Sequence, residues 1–389
     1  MTDLLLTFNA GSSTVKIGVF ARKDGKARRI GKGMIDFRHT PLTFHLTEGP
    51  EVFDVPLKSE QGEVLHAVLE ETFGWLSAHF NLDAVTAVGH RVVHGGDGFS
   101  GPVAIDDKTL AEIADLTPLA PLHQPQSIRL IDTIRHLRPE LPQTASFDTA
   151  FHRSQDDLVQ RFALPRKFFD EGVKRYGFHG LSYKFVAGEL ARRYADLAAG
   201  KIIVAHLGSG ASICALEGGI SRDTSMGFST LDGVPMATRC GNIDPGVLFY
   251  LMSERGMNRE HVEDLLYKQS GLLGVSGISA DSRELLESDA PEALEAIDLF
   301  TFRIAGEIAR QATTLGGIDT LVFTAGIGEH QPQIRAKICA RLRWLGLVLD
   351  DPANGENAPT ISAPGSRVAT LVLETDEEQI IADEALSIL

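Results

Sequence analysis

The sequence predicts an α/β protein built from two similar halves, and three observations predict it. Short apolar runs of strand length alternate with longer segments of helical periodicity along 389 residues. A strand, a small-residue turn and a second strand open the chain and return half a chain later, with Gly11-Ser12 falling on Gly208-Ser209 at an offset of 197. The length suits two large domains at roughly 150 residues each, and 43% apolar residues supply a core for both, which excludes a disordered chain.

The elements follow in order. Residues 4–8 and 15–20 read as a β-hairpin around Asn9-Ala10-Gly11-Ser12-Ser13. Leu65, Val68, Leu69 and Leu76 recur with helical spacing, so 61–80 is read as an amphipathic helix. A strand over 84–93 ends at Gly95-Gly96, and Asp106 or Asp107 caps a helix over 108–116. Ile128, Ile131 and Ile134 mark another helix, closed by Pro139 and Pro142, and a strand over 144–147 completes the first α/β unit near residue 148. The second half repeats this grammar. Strands over 201–205 and 212–216 flank a Gly-Ser-Gly turn, then come a long helix over 291–313, a strand over 320–324, a Gly-Ile-Gly turn and a helix over 332–343. Residues 350–366, with three prolines and two glycines, read as an exposed loop, and the last dozen residues as a helix.

Charge narrows the function. With 37 basic and 52 acidic side chains the net charge is −15, which argues against nucleic acid or an anionic membrane as the main partner. A small anionic substrate in a locally basic pocket remains compatible. No uncharged apolar run approaches the roughly 20 residues of a membrane span, and the start of the chain lacks the basic, then long apolar, pattern of a signal peptide. Cys214, Cys240 and Cys339 are odd in number and far apart, so they form no zinc or redox pair and fit a reducing cytoplasm.

Turns rich in Gly, Ser and Thr gather backbone N–H groups and hydroxyls, which suits phosphate oxygens but equally suits a plain hairpin. Three occur, at 9–14, 206–211 and 326–330, and none fits a P-loop or a dinucleotide fingerprint. Arg91, at the end of a strand, and Arg239, in a loop, would grip a carboxylate or phosphoryl group by forked hydrogen bonds if they converge; otherwise they are surface ion pairs. His90 and His94 mimic a zinc pair, but the two valines between them favour strand and no third ligand is near. Asp148 ends a strand and His179 lies between Gly177 and Gly180, either cleft residues or a cap and a loop histidine. Glu377 and Glu378 suit a helix N-terminus whatever else they do.

Together these segments resemble the acetate kinase (acetokinase) family, within the superfamily of sugar kinases, heat-shock chaperones and actin. The resemblance runs nearly end to end. It is carried by Asn9-Ala10-Gly11-Ser12-Ser13 with Lys16, Gly89-His90-Arg91-Val92-Val93-His94-Gly95-Gly96, Pro121-Leu122-His123 and Phe147-Asp148-Thr149-Ala150-Phe151-His152. It continues through Tyr176-Gly177-Phe178-His179-Gly180, His206-Leu207-Gly208, Asp223-Thr224-Ser225-Met226-Gly227-Phe228, Thr238-Arg239-Cys240-Gly241, Gly326-Ile327-Gly328-Glu329 and Glu377-Glu378.

The resemblance implies two ribonuclease-H-like domains with an active-site cleft between them. The first comprises residues 1–148, completed by the C-terminal helix of about 378–389, and the second, nucleotide-binding, 149–377. It implies reversible transfer of the ATP γ-phosphate to acetate, giving acetyl phosphate and ADP, with magnesium (or manganese in its place), in a cytoplasmic homodimer. Arg91 and Arg239 would hold the carboxylate and the moving phosphoryl group, Asp148 would be the catalytic carboxylate near magnesium, and His179 would stabilise the transition state. Asn9 and Glu377 match the magnesium-associated positions. Ser12, Lys16, His206, Leu207, Gly208, Ser209, Gly210, Asp281, Ser282, Arg283, Gly326, Ile327, Gly328, Glu329 and His330 match the nucleotide segments. Val93, Leu122, Phe178 and Thr230 would line the acyl pocket.

Six positions depart from the family pattern: Gln124, Tyr183, Ser209, Thr230, Asn242 and His330. Thr230 bears on the acid accepted, because one methylene in an apolar pocket is worth only about 1–3 kcal/mol of discrimination. A propionate or other short-chain acyl kinase on the same fold is therefore the nearest alternative, and an actin-like filament ATPase the alternative of another class.

Overall fold

The structure is a computed structural model that describes residues 3–11, 14–37, 42–58 and 65–389. The chain forms two compact units, one of residues 1–151, 180–185 and 376–389, the other of 152–179 and 186–375.

The first unit is a mixed sheet of eight strands: β1 (Leu4–Ala10), β2 (Thr14–Lys23), β3 (Lys26–Asp36), β4 (Thr43–Glu48), β5 (Glu51–Pro56), β6 (Val85–Val92), β7 (Val103–Ala104) and β8 (Gln143–Phe147), in the order β5-β4-β3-β2-β1-β6-β8-β7. β1 and β8 are buried along their whole length; in β1 burial on both faces gives the apolar run Leu4-Leu5-Leu6 and no alternation. One face packs Phe8, Ile17 and Val88 against Val68, Leu69 and Leu76 of the helix Leu65–His79. The expected helix began at 61, and positions 61–64 lie outside the described residues. On the other face Leu5, Phe20 and Ala87 meet Ala382 and Ala385 of the helix Glu377–Ile388. Asp106 caps the helix Asp107–Asp115 by accepting from the Thr109 N–H at 2.7 Å.

The second unit holds β9 (Lys201–Leu207), β10 (Ala211–Glu217), β11 (Ile220–Thr224), β12 (Thr320–Thr324) and β13 (Ala369–Val372), ordered β11-β10-β9-β12-β13. Three antiparallel strands are followed by two parallel ones. The run β3-β2-β1-β6-β8 of the first unit has the same order and the same directions. The offset of 197 therefore marks two hairpins in one topological place, and both units carry the ribonuclease-H-like strand order.

Two sequence expectations are corrected. Residues 326–330 are not an open turn but lie in a short helix, Ala325–His330, entered through Ala325 at φ +64°. Residues 350–366 are not a plain exposed loop. They contain the helix Asp351–Gly355, capped by Asp350, and the fully buried Ile361, and they bridge to β13 through Thr360 and Leu371. Prolines and glycines marked the turns there but said nothing of burial. Strands β3 to β5 went unread because charged residues break their apolar pattern, as in Lys26-Ala27-Arg28-Arg29-Ile30. The helix Pro245–Ser253 went unread because it is apolar on nearly every side and shows no stripe.

Candidate active site

In the first unit the parallel strands β1, β6 and β8 end side by side. Phe8 lies opposite His90, and Arg91 opposite Ser146. This register brings Asn9, Arg91 and Asp148 to the carboxyl ends of adjacent strands, where α/β sheets commonly bind ligands. Arg91 donates from Nε to both oxygens of Asp148 at 3.0 and 3.1 Å, from Nη2 to Asp148 Oδ2 at 2.5 Å, and from Nη1 to Asn9 Oδ1 at 3.0 Å. Asn9 Nδ2 in turn donates to Glu377 Oε2 at 2.7 Å and Glu378 Oε1 at 2.8 Å. Asp148 is fully buried, and the Arg91 side chain is 13% exposed. Burial opposes the charge on Arg91, but the carboxylates of Asp148, Glu377 and Glu378 more than offset it and hold its pKa above the ordinary value.

The strand ends are fixed from behind. Gln124 accepts from the His94 N–H and donates to the carbonyls of His94 and Ile113, so this departure from the family pattern pins the segment after β6. The Gly180 N–H donates to the Asp148 carbonyl at 3.0 Å, and a Cβ on Gly180 would lie 2.0 Å from that oxygen. Burial pushes the pKa values of His90 and His94 down to about 4; His90 bonds Gln143 at 2.7 Å, as a neutral core histidine would. Lys16 lies on β2 opposite Asn9. Ser12 falls outside the described residues. Val93 is buried and Leu122 exposed.

In the second unit His206, next to last in β9, lies opposite Thr324 of β12. The turn Gly208-Ser209-Gly210 therefore sits beside the helix Ala325–His330, where a Cβ on Gly208 would lie 3.7 Å from the Ala325 Cβ. Ser282 joins the same neighbourhood by accepting from Gln331 Nε2 at 2.8 Å. Asp281 caps the helix Ser282–Glu287 and pairs with the exposed Arg283. Glu329 turns back on its own helix, accepting from the Ala325 N–H at 2.7 Å and from the Thr375 N–H at 3.2 Å, and burial raises its pKa. His330 is exposed.

His179 sits at φ +58° ahead of the helix Gly180–Arg193. Its Nδ1 bonds Ser212 Oγ at 2.8 Å, and its ring stacks on His206 with centroids 4.3 Å apart. A Cβ on Gly210 would lie 3.2 Å from His179 Nε2 and 4.0 Å from Arg239 Nη1. Both groups thus border the space over a residue that carries no side chain. Arg239 also donates to the Thr230 carbonyl at 3.0 Å, and its loop is laced to the 266–272 segment through Thr238, Cys240 and Met236. Arg175 holds the neighbouring loop by donating to Asp232 and to the carbonyls of Thr224 and Ser225. Asn242 exchanges two hydrogen bonds with Gly233. The Phe178 carbonyl accepts from the buried His152.

Residues 4–383 match the acetokinase family. The chain belongs to this family. It is 45% identical to an acetate kinase of Rhodopseudomonas palustris, with 98% of this chain and 97% of that protein aligned. Among solved structures, a propionate kinase from Francisella tularensis superposes with a TM-score of 0.92 at 34% identity over the whole of both chains. An acetate kinase from Porphyromonas gingivalis superposes at 0.87 and 34% identity over 99% of each. Acetokinases are phosphotransferases that act on a carboxyl group with ATP as donor.

Two acetokinase-pattern departures are packing residues. Tyr183 is fully buried with its ring 6.5 Å from that of Phe151, and Asn242 supports Gly233. Sequence reasoning missed Ser212, an inward-facing strand residue two places beyond Gly210. It also missed Arg335, fully buried, which donates to the carbonyls of Gly328 and Glu329 and to Asn354 and Asn357. Arg335 falls on the stripe of Ile334, Ile338 and Cys339, and a cation on an apolar stripe was the available signal.

Proposed function

We propose that this chain transfers the γ-phosphoryl group of ATP directly and in line to acetate, forming acetyl phosphate and ADP, and that it runs the reaction in both directions. The observation that carries this reading is the convergence of His179 Nε2 and Arg239 Nη1 on Gly210, 3.2 and 4.0 Å from where a Cβ would lie, two groups able to donate. Such donors suit the equatorial oxygens of a transferring phosphoryl group.

The nucleophile needs no general base, because a carboxylic acid of pKa about 4–5 is ionised at neutral pH. One acetate oxygen forms a bond to the γ-phosphorus while the bond to the β-phosphate oxygen breaks, and ADP leaves with that electron pair. The task is to bring two anions together. Arg91 and Arg239 compensate their charge, and His179 donates to the phosphoryl group. Asp148, gripped by Arg91, fixes geometry and takes no proton. The turn 206–210, the helix Ala325–His330 and Ser282 form the proposed nucleotide site. Asn9 and Glu377 offer the hard oxygen donors that would hold a magnesium ion, which supplies charge neutralisation on the phosphates when bound. Among the described residues no group of three or more His, Cys, Asp or Glu side chains is arranged around a metal, and magnesium asks for less, one or two carboxylates with waters and phosphate oxygens. Family likeness supports a homodimer. Among the described residues no helix is long and apolar enough to cross a membrane, and the free cysteines support a cytoplasmic location.

Trapping of the acyl phosphate by hydroxylamine, with ATP, magnesium and the acids from formate to butyrate, tests the reading. An acetate optimum is expected. A propionate optimum would support the second reading, favoured by the propionate kinase neighbour, and no trapped product with any acid would overturn both.

A further inference from the structure

We propose that Ser212 is a positioning residue for the phosphoryl transfer: its hydroxyl donates to Nδ1 of His179 and so keeps the imidazole proton on Nε2. This rests on the reading that His179 donates to the phosphoryl group.

Phosphoryl oxygens accept hydrogen bonds and do not donate them, so a neutral His179 assists only while Nε2 carries the proton. In a neutral imidazole one nitrogen is a donor and the other an acceptor, and the partner of one fixes the role of the other. Ser212 Oγ lies 2.8 Å from Nδ1. A serine hydroxyl turns its proton toward whichever neighbour accepts it, and donation to Nδ1 leaves the ring proton on Nε2, the nitrogen on the Gly210 side. Two features keep this geometry from relaxing. Ser212 is fully buried on β10, paired with His206 of β9, so strand register sets the position of its hydroxyl. The His206 ring is stacked on the His179 ring with an interplanar angle of 18°, which hinders the ring flip that would exchange the two nitrogens. The missing side chain at Gly210 completes the device, because a Cβ there would lie 3.2 Å from Nε2 and crowd it.

The experiment combines kinetics with histidine NMR. In the intact wild-type protein, ¹⁵N-histidine spectra at neutral pH are expected to show His179 protonated on Nε2, its signal assigned by its loss in His179→Gln. Ser212→Ala is expected to mix the two tautomers and to lower kcat about 10-fold or more, less than the 100- to 1000-fold typical of losing the donor itself. The KM values for acetate and ATP are expected to stay within about twofold of wild type, since a hydrogen bond made in the transition state acts on kcat. A wild-type His179 protonated on Nδ1 overturns the proposal. So does an unchanged kcat in Ser212→Ala when His179→Gln is inactive, which leaves the role of His179 standing. A fully active His179→Gln overturns that role and the proposal together.

Discussion

Arg91→Ala should weaken the first unit as well as silence the enzyme. Arg91 makes three of its four hydrogen bonds to Asp148, whose carboxylate has no solvent exposure. Removing one partner of a buried ion pair leaves the other charge desolvated, at a cost of about 3–5 kcal/mol, a large part of the roughly 5–15 kcal/mol that holds a domain together. The cost should be lopsided. Asp148→Asn leaves the guanidinium facing Glu377 and Glu378, so it should destabilise by about half as much. Adding Asp148→Asn to Arg91→Ala removes the buried charge and should recover about 1.5 kcal/mol or more. The chain has two tryptophans. Trp75 lies in the first unit and Trp344 in the second, so urea unfolding followed by fluorescence in a Trp344→Phe background reports the first unit alone. Hydroxylamine trapping on the same samples without urea separates lost chemistry from lost fold. An Arg91→Ala protein within about 1 kcal/mol of its parent would refute this reasoning, as would a double variant weaker than Arg91→Ala.

Arg239→Ala should lower turnover at least about 100-fold, since its Nη1 borders Gly210 beside His179 Nε2; steady-state rates check the loss, and urea midpoints show whether the variant is still folded. Arg335→Met should cost about 3 kcal/mol and raise the KM for ATP, because it strands the Gly328 and Glu329 carbonyls that end the Ala325–His330 helix. Burial pushes the pKa values of His90, His94 and His152 from 6.5 down to about 4. Between those values the unfolded chain binds the protons and the folded one does not, so stability falls as pH drops from about 6.5 to 4 and is flat above. Each group contributes up to about 3 kcal/mol of that loss, and urea midpoints for His152→Gln should show a shallower slope over this window.

What was legible in the sequence was whatever one element writes on its own. The hairpins of β1–β2 and β9–β10 declared themselves because both-face burial makes a strand an apolar run, and Asp106 declared its helix by capping it. Arg91, Asp148 and Asn9 could each be named as candidates, but their meeting depends on the parallel register of β1, β6 and β8, which no local pattern records. Gln124 could be seen only as a departure, and its role needs the carbonyls of His94 and Ile113, which lie far apart in sequence. The helix Ala325–His330 was misread for a related reason. Its glycines suggest a turn, whereas the segment is helical and the Glu329 carboxylate turns back to accept from the Ala325 N–H. Ser212 was silent because a small polar residue inside a strand is ordinary until its partner is known.

The helix Glu377–Ile388 carries a consequence for how the protein is made. Its Ile381, Ala382 and Ala385 close one face of the first sheet, and Glu377 and Glu378 satisfy Asn9, 368 and 369 residues earlier in the chain. All of the second unit is translated before them. On the ribosome the second unit can therefore reach its native state first, while the β1–β2 hairpin waits, one face uncovered, for about 10 s or longer at ordinary elongation rates of roughly 5–20 residues per second. The apolar side chains of Leu5, Phe20 and Ala87 are the surface on offer during that interval. A holdase that protects nascent chains should engage this face, and release it once residue 385 has emerged.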